Sequence, residues 1–329
     1  MRELFPDLFM ETLTFRVKAA GTMNLFFVRS EDRSLMVDTG FDFPETREAV
    51  EAAFRELSLE YEKTDLFITH SHADHMGLAP WLAQKGVRVL AGLDPTRVYS
   101  LYRNVPEDSV HSGEKLTMLG VDAARLPELR AYYDRMEQPP AEPFSFPFTR
   151  VQPGDRLFYG KYAFTVLGLT GHTWDQIGLY DDQAGIVFSA DQVLSTTVPF
   201  VDSLYRDEKM LDRYISSLQN LRHNFRGYTL LPAHHEILYA PGPVIEDIIY
   251  QCEGKCELVY RALAVAGKPV TAYEAARAVY ALDELPQNDE QLTHLSMILA
   301  RTFTCLEYLY GQRLIYRREE PDGMLFWRI

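Results

Sequence analysis

Apolar and polar residues alternate from Thr12 to Lys18, the period expected of a half-buried strand. Met23 to Val28 and Leu35 to Val37 are apolar runs on either side of Ser30-Glu31-Asp32-Arg33-Ser34, which predicts a hairpin. Helical spacing with an acidic first turn covers Pro44 to Leu57, and Leu66 to Ile68 suits a short buried strand. A helix through Leu78, Trp81 and Leu82 should come next, since Pro80 is tolerable in a first turn, and Val87 to Leu90 then reads as a strand. Strand patterns return from Arg156 to Leu169 around a turn at Gly160, then at Gln176 to Tyr180 and Gly185 to Ser189. Leu211 to Leu221 is an amphipathic helix, and Tyr228 to Leu231 a strand. Such alternation predicts an α/β sandwich.

Two regions depart from it. Residues 94–150 carry helical patterns at Thr96 to Tyr102 and Ala123 to Met136, then Pro139, Pro140, Pro143 and Pro147 interleaved with Phe144, Phe146 and Phe148. So long an excursion is expected to cover a substrate, with Tyr99, Tyr102, Tyr132 and Tyr133 as candidate wall residues and His111 at the surface. Pro241-Gly242-Pro243 reads as a linker closing a domain of residues 1–240. Beyond it, helical patterns span Val244 to Ala266, Thr271 to Tyr280 and Gln291 to Tyr310. Leu314 to Arg318 and Met324 to Arg328 then flank a Pro-Asp-Gly turn. Three helices and a hairpin predict a winged-helix-like domain over residues 244–329.

Composition narrows the partners. The chain has 329 residues, 47% of them hydrophobic, as in an ordinary globular protein. No apolar run is long enough to span a membrane, and Met1-Arg2-Glu3-Leu4-Phe5-Pro6-Asp7 lacks the pattern of a secretory signal, so a cytoplasmic location is expected. Cys252, Cys256 and Cys305 are read as ordinary semi-buried thiols, although the first two are spaced to share a metal. A net charge of -14 disfavours nucleic acid, whose binding depends on Lys and Arg contacts. The third C-terminal helix is mainly apolar, which suits packing on the first domain or on a second copy in a homodimer; Arg317, Arg318 and Arg328 on the hairpin are what favours nucleic acid.

The chemistry is concentrated after the strand at Leu66 to Ile68. His70, His72, Asp74 and His75 lie within six positions, and imidazole with carboxylate suits Zn, Fe or Mn. His70 and His72 are two apart and face the same side of an extended segment, whereas Asp74 and His75 come after a turn and are free to address a second ion. A solvated loop is the competing interpretation.

His70-x-His72-x-Asp74-His75 resembles the signature of the metallo-β-lactamase fold hydrolases. That resemblance implies a four-layer αββα sandwich over residues 1–240, holding one or two metals at one edge, with three further ligands downstream. Gly171-His172-Thr173 supplies His172, and Ala190-Asp191-Gln192 supplies Asp191, where family members often have Gly-Asp-His. Leu231-Pro232-Ala233-His234 supplies His234, with His235 as its competitor. Asp38, in an Asp-Thr-Gly corner preceded by Asn24, is expected to orient a ligating imidazole. The C-terminal region is similar to the appendage of the lactamase-β-like and hydroxyacylglutathione-hydrolase-like members.

The resemblance implies His70, His72 and His172 around one ion and Asp74, His75 and His234 around the other, with Asp191 between them. A bridging hydroxide would attack a small acyl ester, thioester or lactone. Asp74 would carry the proton to the leaving group, and Tyr205 would hydrogen-bond the substrate oxyanion. The alternatives are a phosphodiesterase or ribonuclease, a mononuclear iron persulfide dioxygenase, and a scaffold with structural metals. A penicillin-degrading role is disfavoured because many such enzymes have Cys at the position of Asp191.

Overall fold

The computed structural model describes residues 1–15, 21–92, 112–122, 126–136, 145–204, 209–282, 286–321 and 323–329. They fall into two compact units. One comprises Met1–Tyr102, Glu142–Pro199 and Ser217–Glu246, the other Arg103–Ala141, Phe200–Ser216 and Asp247–Ile329.

In the first unit a seven-stranded sheet runs β1 (Arg2–Phe5), β2 (Leu8–Thr14), β3 (Thr22–Val28), β4 (Ser34–Val37), β5 (Thr64–Ile68), β6 (Arg88–Ala91) and β7 (Thr149–Arg150) in spatial order. Pairing is antiparallel as far as β4 and parallel from there on. A five-stranded sheet has the order β12 (Thr229–Pro232), β11 (Ile186–Ala190), β10 (Ile177–Asp181), β9 (Tyr162–Gly168) and β8 (Arg156–Tyr159). Here the meander β8 to β11 is antiparallel, and β12 joins β11 in parallel. Each sheet therefore places a parallel pair, β4–β5 or β11–β12, where its functional loops emerge.

Continuous apolar runs in these strands reflect burial on both faces. One core unites Leu8, Phe26, Leu35 and Phe67 of the first sheet with Phe164, Leu179, Phe188 and Leu231 of the second, and Phe26 meets Phe188 edge to face at 5.2 Å. The opposite face of the first sheet is covered by α1 (Pro44–Leu57), α2 (Ala73–Met76) and α3 (Ala79–Gln84), through Val50, Phe54, Met76 and Leu82 against Leu25, Phe27, Leu66 and Val89. The single helix expected after Asp74 is thus two, broken at Gly77-Leu78. A Cβ on Gly77 would lie 2.6 Å from the Ala73 carbonyl oxygen and 2.7 Å from that of Gly40, so α2 ends where it presses on the corner after β4.

The second unit is built from α4 (Ser112–Leu119), α5 (Pro127–Met136), α7 (Pro241–Ala266, from Asp247 onward), α8 (Ala272–Tyr280), α9 (Asp289–Gly311) and the hairpin β13 (Ile315–Glu320)–β14 (Gly323–Arg328), together with the first turns of α6 (Met210–Asn224). Inside this unit α4 lies against β14 and α8, and α5 against α9. Within the expected lid, residues 145–150 belong to the first unit, with Phe146 in its core and β7 at the edge of its sheet, whereas α4 and α5 form a layer of this helical unit. Tyr133, a candidate wall residue, is buried there and accepts a hydrogen bond from Ser296 of α9 at 3.0 Å. Residues 200–216, which the sequence placed in the first domain, join the second unit through Ser203, whose amide donates to Thr304 of α9 at 2.9 Å.

Pro241-Gly242-Pro243 is not a linker but the first turn of α7, where the missing amide hydrogens of proline cost nothing. Cys252, Cys256 and Cys305 are free and buried. Among the described residues no helix is long and apolar enough to cross a membrane. The expected helix at Thr96 to Tyr102, together with His111 and Tyr205, lies outside the described residues.

Candidate metal centre

The site begins at the ends of the two parallel strand pairs. β5 ends at Ile68, the chain bends through His70, Ser71 and His72, and His72, with φ −71 and ψ 149, is the extended residue that precedes α2. This bend brings the His70 and His72 rings together, rather than the strand alternation expected of an extended segment. The single turn α2 then carries Asp74 and His75. Across the site, His172 comes after β9, Asp191 after β11 and His234 after β12.

All seven expected ligands come together, in two groups. His70, His72, His172 and Asp191 offer donor atoms within 4.8 Å of one another, as do Asp74, His75 and His234. In the first group His70 Nε2 lies 2.9 Å from His72 Nδ1, and His172 Nε2 lies 3.1 Å from the same atom. In the second, His234 Nε2 is 3.4 Å from Asp74 Oδ2 and His75 Nε2 is 3.8 Å from Asp74 Oδ1. Asp191 faces both: Oδ2 is 3.5 Å from His172 Nε2, while Oδ1 is 3.6 Å from His75 Nε2 and 3.5 Å from His234 Nε2.

The rings are held from behind. Asp38 Oδ2 lies 2.8 Å from His75 Nδ1, and the same carboxylate accepts from the amide and hydroxyl of Thr69, each at 2.8 Å. With its proton committed to Asp38, the Thr69 hydroxyl has a lone pair for His70 Nδ1–H at 3.1 Å. His234 donates Nδ1–H to the Thr22 carbonyl at 2.6 Å. These contacts place a proton on Nδ1 of His70, His75 and His234 and turn Nε2 of each inward, where it is a lone pair whenever the ring is neutral. Thr39 completes the corner, its amide and hydroxyl donating to the His75 carbonyl at 3.0 and 3.1 Å.

The donor set fits divalent cations. Nε2 of His70 and Nε2 of His172 both converge on His72 Nδ1, at 2.9 and 3.1 Å, an arrangement in which one cation accepts all three ring lone pairs at once. Among the described residues, His75 Nε2 and Asp191 Oδ1 are buried without a hydrogen-bond partner, at the place where the two groups meet. Imidazole and carboxylate are donors that Zn, Fe and Mn accept.

Electrostatics divides the histidines. Burial, then the neighbouring imidazoles, lowers His70 far below its ordinary value and His72 to about 3, so both are neutral. Burial also pulls on His75, but the Asp38, Asp191 and Asp74 carboxylates outweigh it and hold the ring well above its ordinary value. His234 is raised in the same way, against burial, by Asp74 and Asp191. Burial would raise Asp74 and Asp191, yet His75 and its neighbours bring Asp74 down to about 2 and Asp191 well below the carboxylate range.

His235 stands apart from both groups. Its backbone is left-handed, with φ 64, and its Nδ1 lies 2.8 Å from Thr196 Oγ1, while Asn24 fixes the turn by donating to the Pro232 and His235 carbonyls at 3.1 and 2.9 Å. Two supports were not anticipated. Asp175 is buried three residues after His172 and accepts from the Ser71 hydroxyl at 3.3 Å, and burial pushes its carboxyl up to about 6. Gln176 donates to Gln192, the neighbour of Asp191, at 2.8 Å.

No curated protein matches the chain. Among solved structures, a metallo-beta-lactamase family protein from Thermus thermophilus aligns at 20% identity with a TM-score of 0.73, covering 99% of this chain and 100% of that one. A beta-lactamase domain protein from Burkholderia ambifaria aligns at 22% identity with a TM-score of 0.77, covering 100% and 94%. These likenesses show a common fold. Residues 21–234, well over half of the chain and including every residue of both groups, match the family model of the metallo-beta-lactamase superfamily, and the chain belongs to that superfamily.

Proposed function

We propose that this chain is a hydrolase that works with two divalent cations on a small acyl ester, thioester or lactone. The observation that carries the proposal is the placement of Asp191, whose two carboxylate oxygens face different groups of imidazoles at 3.5 to 3.6 Å. When bound, such cations lower the pKa of water from 15.7 towards ~7 and polarise a carbonyl. The protein holds His70 and His72 neutral and presents them with His172 to one cation, and directs Asp74, His75 and His234 at the other. Asp74 is the most exposed of the carboxylates, its side chain 20% accessible, so it can pass a proton to a departing alkoxide or thiolate. Zn suits this donor set, as do Fe and Mn. We also read α7, α8, α9 and the β13–β14 hairpin as a winged-helix-like domain.

Elemental analysis of purified protein, with a panel of esters, thioesters, lactones and phosphodiesters, tests the proposal. The expected result is two ions per chain and turnover of a carbonyl substrate, with Asp191→Asn losing both an ion and the activity. A metal-loaded protein that is inert on the carbonyl compounds, or that cleaves only phosphodiesters, would overturn it.

A further inference from the structure

Gly254 sits in the interior of α7, a helix of 26 residues, where glycine costs about 1 kcal/mol relative to alanine. Nothing among the described residues accounts for it: a Cβ added there meets none of their atoms within 4 Å, and its φ is not positive. The surface around it has a pattern. Asp247, Tyr250, Gly254, Leu258 and Arg261 succeed one another at spacings of three and four, within an arc of about 80° at 100° per residue, and all are exposed. Tyr250 is 74% exposed and Leu258 53%, large values for such side chains.

The stripe is self-complementary about Gly254. Asp247 and Arg261 lie seven positions to either side of it, Tyr250 and Leu258 four positions to either side. A two-fold axis through Gly254, with two copies of α7 antiparallel, sets each Asp247 against an Arg261 and each Tyr250 against a Leu258. Glycine meets glycine at the crossing, where small residues let helix backbones approach. A two-fold contact requires one patch to match itself, and this stripe does so in both charge and apolar character. Asp247 accepts from Gln251 at 2.7 Å and Arg261 reaches Glu257 at 2.7 Å, so both heads are held at the surface along the helix.

We propose that a second copy of this chain docks along α7, antiparallel and centred on Gly254. Sedimentation equilibrium of the full chain should show a dimer at tens of micromolar. Asp247→Arg and Arg261→Asp each set like charges opposite one another twice per dimer and should weaken self-association at least ~10-fold. An equimolar mixture of these two variants restores both attractive pairs and should dimerise about as well as the unaltered protein. Gly254→Arg should abolish the dimer, and its melting temperature should equal or exceed that of the unaltered protein when both are measured at a concentration low enough to be monomeric, because the side chain has room in the single chain and favours helix. A monomeric unaltered protein, a dimer indifferent to Gly254→Arg, or a mixture that stays monomeric would each overturn the proposal.

Discussion

The carboxylate of Asp38 and the imidazole of His75 meet at 2.8 Å although 37 positions separate them, because β4 and β5 are parallel neighbours and the corner after one faces the turn after the other. Asp38 thereby fixes the tautomer and the angle of His75, and it also ties down Thr69. Contacts of this kind are worth 10–100-fold in metal affinity. Asp38→Asn, judged by circular dichroism to be folded, should weaken cation binding at the group that contains His75 by roughly ten to a hundred fold in chelator competition. Equal affinities in the two proteins would show that the helical turn alone orients His75.

Cation binding should release protons. In the metal-free protein His75 and His234 hold theirs above the ordinary histidine value of 6.5, because nearby carboxylates outweigh burial, and a cation must displace them. Calorimetric titration near pH 7 in buffers of different ionisation enthalpy should reveal net release, and affinity should fall as the pH drops. The same raised values stabilise the metal-free fold fully below 6.5 and lose that contribution as the pH rises through them. His70 and His72, held low, act in the opposite sense only below 6.5. The metal-free protein should therefore melt at lower temperature as pH rises above 6.5, a trend that bound cation removes.

Asp175 should matter to the first group more than to the second. It joins the loop after His172 to Ser71, which lies between His70 and His72, and so sets the spacing of three imidazoles. Asp175→Ala should lower affinity for one cation by about ten to a hundred fold and leave the other close to normal, whereas Asp175→Asn, able to keep the Ser71 contact, should lose less. The absorption of cobalt-substituted protein would separate the two ions; equal losses at both would refute the assignment.

Ala190 carries backbone strain. Its φ is 48, a left-handed value that an L-residue with a Cβ adopts at a cost of about 1–2 kcal/mol, and it turns the chain so that Asp191 points into the site. Ala190→Gly should raise unfolding stability by about 1 kcal/mol in urea titration, with metal content unchanged. A loss of stability would mean that the methyl group packs better than the backbone suffers.

His70, His72, Asp74 and His75 were legible because they lie within six positions directly after a buried strand, although the segment that carries the first two is a bend and not the extended stretch expected. Asp38, His172, Asp191 and His234 needed the family pattern, since nothing in their own neighbourhoods says that they meet. Leu35-Met36-Val37-Asp38 and Val187-Phe188-Ser189-Ala190-Asp191 each run an apolar strand into an aspartate, and both corners contain a left-handed residue, Asp38 in one and Ala190 in the other. Asp175 escaped notice because Ser71 lies 104 positions away, and a carboxylate in a loop has no local mark of burial. Pro241 to Pro243 misled because proline favours both loops and the first turn of a helix, and only the helical run from Val244 onward distinguishes the two. α4 was missed, and residues 200–216 were assigned to the wrong neighbour, because their partners on β14 and α9 are distant in sequence.

The two sheets divide the donors unevenly. The seven-stranded sheet contributes His70 and His72 to one group and Asp74 and His75 to the other; the five-stranded sheet adds His172 and Asp191 to the first and His234 to the second. Neither sheet possesses a complete set for any ion. Retention of metal consequently gauges how firmly the sandwich is closed, and a substitution deep between Phe26 and Phe188 that lets the layers breathe should leak metal well before the chain melts.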